Sequence, residues 1–320
     1  MPKRKITRQM IIAGIVGNIM EWYDFAVYGY FAPIIGAHFF PSEDPNVSVI
    51  AALGAFAAGF LMRPFGSLIF GHIGDKLGRR RGLTLSVILM AVPTFIIGVL
   101  PDYAAIGATA SVLLVIMRML QGLSVGGEYT TSIVFLVENS PPNRRAFFGC
   151  WSIWGAVAGI LGGSAVGALI VNFLTPDQVT AWAWRLPFLF GLGIGVTGLY
   201  LRRQNLKEDQ VPVDHVKSPV VEAFRDQWRA ILQVAGINVV TATAFYMCFV
   251  YVTTWLQETA HLSSAQALDI NSLNMSLMLL LIPLASRSIA GRPSRTQTDA
   301  GFWNNRPAAV GLSTLLSHAA

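Results

Sequence analysis

Eight stretches of this chain stay apolar for about 20 residues or longer, the length a helix needs to cross the hydrocarbon core of a bilayer. They fall near residues 11 to 40, 49 to 71, 82 to 100, 104 to 137, 146 to 174, 181 to 201, 230 to 257 and 266 to 285. Hydrocarbon offers no water to a backbone amide, so such runs close their hydrogen bonds internally and fold as helices. Composition agrees, because 53% hydrophobic against 12% charged residues and a mean hydropathy of +0.54 leave too little polar surface for a water-soluble domain. The expected fold class is all-α integral membrane. The basic start (Lys3, Arg4, Lys5, Arg8) enters the first stretch without an AxA-like cleavage site, so no cleaved signal peptide is expected. Cys150 and Cys248 lie inside apolar runs and read as packing residues. His38, His72, His215, His261 and His318 have no ligand spacing, so neither a disulfide framework nor a metal site is expected.

Orientation follows from where lysine and arginine fall. With the N-terminus inside, the inner connections hold Lys76, Arg79, Arg80 and Arg81, then Arg144 and Arg145, then Arg202, Arg203, Lys207, Lys217 and Arg225. The outer connections at 41 to 48, 101 to 103, 175 to 180 and 258 to 265 hold none. The expected location is therefore the plasma (inner) membrane, multi-pass, with a cytoplasmic N-terminus. A basic rim facing anionic lipid accounts for the net charge of +6, and no nucleic-acid partner is needed. Between the sixth and seventh stretches, charge mixes with Pro212 and Pro219, which reads as a linker with a short surface helix around Val221 to Trp228.

The connection after the second stretch, GHIGDKLGRR, packs four charges into ten residues. Glycines at 71, 74 and 78 would let two helices approach and the chain turn, Asp75 can accept from helix amides or pair with arginine, and Arg79 and Arg80 can bond open carbonyls at a helix C-terminus. Gly71, Asp75, Lys76, Gly78, Arg79 and Arg80 fit GxxxD(R/K)xGR(R/K), and here the sequence resembles the major facilitator superfamily, whose cytoplasmic gate carries that pattern. NIMEWYDFAVYGYFAP, FAAGFLMRPFGSLIFGHIGD, RMLQGLSVGGEYTTSIVFLVE and WRLPFLFG extend the resemblance to the metabolite:proton symporter family, and within it to the proline/betaine transporters. The resemblance implies a six-helix N-terminal bundle over 1–202, a cytoplasmic linker over 203–229 and the first two helices of an incomplete C-terminal bundle over 230–285. Residues 286–320, apolar-poor and without a helical period, read as a disordered tail.

Ionisable residues in mid-span cost roughly 2.5–3.5 kcal/mol each unless paired or in a water-filled cavity. Glu21 and Asp24 lie in the first stretch, Arg118 and Glu128 in the fourth. On a helical wheel Glu21, Phe25 and Tyr28 share a face with Asp24 about 60° away, and Arg118, Gly122, Val125 and Tyr129 form a stripe flanked by Glu128. Two readings stand: a static pair between Arg118 and an acid of the first helix, or a carboxylate that exchanges its proton while Arg118 holds or releases it. Two acids for one arginine favour the second. The resemblance agrees, since Arg118, Gln121 and Gly122 match the RxxQG motif associated with proton coupling. Trp22, Tyr23, Tyr28, Tyr129, Trp151 and Trp154 are individually packing or interfacial residues, and as a set suggest a cavity wall over which a cation could lie. Gly155, Gly159, Gly163 and Gly167 recur every fourth residue as a surface for close helix contact. Arg185 and Arg63 read as interfacial or gate arginines.

Family members repeat their charged loop after the eighth span, whereas this sequence reads SRSIAGRPSR, and the resemblance stops at about Ala285. A frameshift is the expectation, in which case the 320-residue chain lacks four helices and does not transport unless fragments complement one another. The leading function is proton-coupled symport of a small polar metabolite by alternating access, a proline- or betaine-like zwitterion or an organic acid, with the proton gradient as driving force and no cofactor. The alternative is a non-transporting half-transporter acting as a membrane sensor or assembly partner. An enzyme is not expected, as GxxxxGK[ST], HExxH and GxSxG are all absent.

Overall fold

The computed structural model describes residues 7–141, 144–205, 224–252, 255–256, 259–262 and 264–289. Most of the linker and the tail from 290 onward lie outside these residues, as does the start of the surface helix expected at Val221. Among the described residues eight helices are long and apolar enough to cross a membrane: Arg8–Tyr30, Pro45–Gly74, Arg80–Val99, Ala108–Glu138, Arg145–Phe173, Ala183–Gln204, Trp228–Phe249 and Asp269–Ser288. They correspond to the eight apolar stretches, with three differences. The first stretch is two helices, α1 (Arg8–Tyr30) and α2 (Ala32–Phe39), broken at Phe31 where Pro33 opens the second. The fourth is divided by Gly107, at φ 62°, into α5 (Tyr103–Ile106) and α6 (Ala108–Glu138). The last helix runs past Ala285 to Ile289, so Ser286 to Ser288, assigned to a disordered tail, are helical.

By backbone proximity the described residues form two compact units, one from 7–139 and 151–205, the other from 140–150 and 224–289. The first unit holds α1 to α6, α7 (Arg145–Phe173) from Trp151, α8 (Pro176–Ala181) and α9 (Leu186–Asn205). Thr7 caps α1 by accepting from the Met10 amide at 3.3 Å, and Asp44 caps α3 (Pro45–Leu77) by accepting from the Asn46 amide at 2.9 Å. α3 passes into α4 (Arg79–Val99) through Gly78 alone, at φ 94°, a conformation a side chain would strain. The second unit contains α10 (Trp228–Tyr246), which continues into a π-helical turn at Met247–Tyr251, and α11 (Ser264–Ile289).

Two glycine seams set the spacing of the first unit. Where α3 meets α6, a Cβ at Gly59 would lie 2.9 Å from the Arg118 carbonyl oxygen, and Cβ atoms at Gly66, Gly122 and Gly126 would overlap the backbone of the facing helix. Where α7 meets α1, Gly159 and Gly163 lie against the backbone of Ile19 and Tyr23, with Gly155 on Ile15 and Gly167 on the Tyr30 ring. The every-fourth-residue glycine pattern is therefore a helix contact, as its spacing implies. In the seam between α3 and α6, Gly122 and Gly126 share the four-residue spacing, while Gly59 and Gly66 are seven apart. At the end of the bundle formed by α2, α5 and α8, a core of Val27, Phe31, Phe39, Ile97, Leu114, Trp184 and Phe188 closes the unit. There Arg185 donates to the Leu100 carbonyl at 2.6 Å, which caps the open C-terminus of α4.

Candidate functional site

Asp24, on α1, is fully buried, and Arg118, on α6, is 1% exposed. Arg118 Nη1 donates to Asp24 Oδ2 at 2.7 Å, and Gln121 Nε2, one turn along α6, donates to Oδ1 at 3.0 Å. Gln121 also donates to Thr94 Oγ1 at 2.8 Å, whose hydroxyl in turn faces Asp24 Oδ1 at 3.1 Å and the Met90 carbonyl at 2.8 Å. The guanidinium lies over the Tyr28 ring at 3.8 Å, and Tyr28 is held in place by donating its hydroxyl to the Ala52 carbonyl at 2.9 Å. Gln121 and Thr94 serve the second oxygen of Asp24 and the Tyr28 ring faces the cation, while Arg118 Nε and Nη2 and Gln121 Oε1 have no hydrogen-bond partner among the described residues. Gly122 of the RxxQG stretch lets α3 approach at Gly59, which brings Ala52 and Phe56 of α3 to the level of this pair.

Glu128 belongs to a second network. Arg202, on α9, pairs with it, and Ser86 of α4 donates to the same carboxylate. Arg202 further donates to the Ala13 carbonyl at 2.9 Å and to the Leu83 carbonyl, so one guanidinium ties α1, α4, α6 and α9 together. Gly17 makes room, since a Cβ there would overlap both partners. This corrects the placement of Arg202, assigned to an inner connection, which is fully buried. The physical reason is that α9 continues to Asn205, so Arg202 is a helical residue whose long side chain reaches back into the bundle.

Glu21 stands in neither network. It is 1% exposed, and neither carboxylate oxygen receives a hydrogen bond from the described residues. The Arg63 guanidinium lies 3.8 Å over the Phe60 ring and 4.6 Å from that of Phe25.

The aromatic set does not form one wall. Tyr28 belongs to the Arg118 pair, while Tyr23 donates to the Pro187 carbonyl at 3.0 Å within the core. Trp22 sits edge-on to Phe25 at 5.9 Å, and Tyr129 is partly buried on α6. Trp151 and Trp154 pair at 5.4 Å and pack against the buried cluster that includes Met10 and Ile15. In the GxxxDKxGRR segment, Gly78 makes the turn, Lys76 is exposed, and Arg80 donates to the Arg203 carbonyl near the C-terminus of α9 at 3.3 Å. The side chains of Asp75 and Arg79 lie outside the described atoms. Gly71 was expected to permit close approach, yet a Cβ there would meet nothing within 4 Å. Residues that composition and spacing did not single out are Thr94, Ser86, Arg202 and a buried cluster in which Asn18 donates to Ser132 at 2.9 Å and to Ser152 at 2.5 Å. Polar residues at one-turn spacing inside apolar stretches were the available signal. No cluster of His, Cys, Asp or Glu able to hold a metal occurs among the described residues.

Bilayer-length helices joined around buried, hydrogen-bonded ion pairs define a polytopic membrane transporter bundle of the major facilitator fold. Residues 10–203 match the family of sugar (and other) transporters, and the chain belongs to that family, one of transporters and not of enzymes. The proline/betaine transporter of Salmonella typhimurium is 38% identical over 291 residues, 87% of this chain and 58% of its own length. The glycine betaine/proline/ectoine/pipecolic acid transporter OusA of Dickeya dadantii is 39% identical over the same shares. This chain thus spans 58% of the length of these relatives. The proton:xylose symporter XylE bound to 6-bromo-6-deoxy-D-glucose shares the fold at TM-score 0.65 and 14% identity, over 97% of this chain and 78% of that one.

Proposed function

We propose that this chain takes part in proton-coupled symport of a small zwitterion such as proline or betaine, by alternating access across the plasma (inner) membrane with its N-terminus in the cytoplasm. The observation that carries the reading is the Asp24–Arg118–Gln121–Thr94 cluster, in which a fully buried carboxylate is held by one guanidinium and two neutral polar groups. Protonating Asp24 removes the charge that holds Arg118, so the helix carrying the arginine is free to shift against α1; losing the proton restores the pair. Proton exchange thereby becomes a change in the attraction between two helices. The names of the relatives support the zwitterion as cargo. The Gly78 turn and the bond from Arg80 to the end of α9 support a cytoplasmic clasp that closes and opens with the cycle. Arg202 and Glu128 keep the cytoplasmic ends of α1, α4, α6 and α9 in register while it does so.

Uptake of labelled proline and glycine betaine into vesicles tests the reading. It is measured with this chain alone and with the part of the Escherichia coli proline/betaine transporter that it does not span supplied in trans. Accumulation that rises with an inwardly directed proton gradient, and is abolished by a protonophore, is the expected result for the complemented preparation. Uptake indifferent to the gradient in both preparations would overturn it.

A further inference from the structure

A histidine changes charge between about pH 5 and pH 8, and what its two ring nitrogens face decides which form a structure favours. His38 lies on α2, at the end of the first unit where α2, α5 and α8 gather. Its Nε2 is 2.8 Å from the Thr180 carbonyl oxygen in the last turn of α8, and its Nδ1 is 3.5 Å from Asp102 Oδ2. A carbonyl oxygen and a carboxylate oxygen can only accept. Neutral imidazole has a single N–H and must turn a lone pair towards one of them, whereas imidazolium donates to both. Asp102 is fixed independently as the N-cap of α5, where its Oδ1 accepts from the Ala105 amide at 3.1 Å and leaves Oδ2 for the histidine. The imidazole is backed by the fully buried Trp184, at 5.5 Å between rings. The side chains of His38 and Asp102 are 20% and 32% exposed, so protons from solvent reach the pair. The other charged or titratable groups of the elements and connections packed here are Arg185, Asp177, Tyr103, Glu43 and Asp44. Arg185, the cation among them, donates to the Gly98 and Leu100 carbonyls and lies over Trp184 at 4.4 Å, and Asp44 accepts from the Asn46 amide. The adjoining ends of α1, α3 and α6, residues 25–30, 45–56 and 108–117, contain no charged residue.

We propose that His38 and Asp102 form a proton-operated clasp, closed when the imidazole carries its second proton, that ties α2 and α8 to α5 at this end of the bundle. Losing that proton sets a lone pair against the carboxylate, so the tie to α5 opens while the Thr180 carbonyl keeps its donor. The contact is therefore present towards acid and lost as pH rises through the titration of the imidazole. The clasp is separate from Asp24, which is fully buried and paired with Arg118. It is joined to that pair through the backbone, because Ser111 of α6, the helix that carries Arg118, donates to the carbonyl of Phe39 at 2.5 Å. All of these residues belong to the first unit, so the clasp is complete within this chain. Which compartment it answers to rests on the orientation proposed above, which puts this end outside; the clasp itself does not depend on it.

The test is amide hydrogen–deuterium exchange of the detergent-solubilised 320-residue chain at about pH 5.5 and about pH 8, read in peptides covering α2, α5 and α8. Each variant is compared with the wild type at the same pH, so the pH dependence of the intrinsic exchange rate cancels. His38→Gln has no proton to gain in this range. It is expected to exchange about two- to fivefold faster than the wild type at the acid pH and equally fast at the alkaline one. Asp102→Asn keeps the cap, because its side-chain oxygen still accepts from the Ala105 amide, but it turns an N–H donor towards His38 Nδ1. That arrangement suits neutral imidazole, so this variant is expected to be less protected than the wild type in acid and more protected in alkali, a reversal that mere loss of a packing contact does not produce. If His38→Gln does not fold, Asp102→Asn decides the matter. An equal ratio of His38→Gln to wild type at both pH values, or the wild-type pH dependence retained in Asp102→Asn, would overturn the clasp. Failure of the orientation has a different signature, since in sealed right-side-out vesicles the protection would then follow the internal and not the external pH.

Discussion

At the scale of single residues, the three acids buried among the described residues of the first unit differ in what they bond to. Asp24 is paired by Arg118, Glu128 by Arg202, and Glu21 by no hydrogen bond from the described residues. Asp24→Asn keeps the shape of the side chain and removes the group that gains and loses a proton. The expected outcome is loss of gradient-driven accumulation, with exchange of labelled for unlabelled cargo retained, read by comparing the two modes in the same complemented vesicles. Arg202→Met leaves Glu128 buried beside a neutral chain, and breaking such a pair costs about 3–5 kcal/mol. The thermal midpoint of the solubilised protein should fall sharply in Arg202→Met and partly recover in Arg202→Met/Glu128→Gln, since the double variant no longer strands a charge. Equal midpoints for the single and double variants would show that the pair does not hold the four helices. That Arg118 would face an acid of the first helix was legible, because an ionisable residue in an apolar stretch is costly unless paired, but which of Glu21 and Asp24 it takes was not. Arg202 was not, because an arginine beside Arg203 at a helix end looks like any basic rim residue until the helix is seen to carry it inward.

At the scale of elements, glycine does three different jobs here, and substitution separates them. Gly122→Val and Gly66→Val place a branched side chain against the facing backbone of α3 or α6, so both should reduce folded yield and thermal stability. Gly71→Ala and Gly54→Ala face open space in the structure and should leave stability unchanged or slightly raised, as alanine favours helix over glycine. Gly78→Ala forces a side chain into positive φ at the α3–α4 junction, at a cost of about 1–3 kcal/mol. Thermal unfolding of the five variants side by side checks the ranking. The motif spacing around Gly71 suggested close approach there. The observed contact lies instead at Gly59, Gly66, Gly122 and Gly126, because which glycines face a neighbour depends on the rotation of α3 about its own axis.

For the whole molecule, the distribution of lysine and arginine gives a direct expectation. Alkaline phosphatase, active only outside the inner membrane, should be active when fused after Asp102 or Thr175 and inactive after Gly78 or Arg144. The reverse pattern would place the N-terminus outside and with it the Gly78 clasp on the wrong face for the proposed cycle. Translating all three frames of the coding DNA from the codon of Pro283 onward would show whether a charged loop and further apolar spans continue in another frame, as the break in resemblance at Ala285 predicts.

The sequence by itself determined that the chain is a multi-pass bundle, where its spans lie and which acids had to be paired, because the bilayer leaves a backbone one way to satisfy its amides and a charge few ways to be buried. It also carried the family, through motifs whose residue types are set by turn geometry and ion pairing. Only the tertiary structure decided that Asp24 and not Glu21 takes Arg118, that Glu128 answers to Arg202, and that Arg63 lies on Phe25 and Phe60. The two ion pairs join residues 94 and 74 positions apart, and Arg63 reaches Phe25 on another helix, while Phe60 lies on its own helix one turn before it. Helix rotation and the depth of the glycine seams fix them, and neither is written in the period of any single helix.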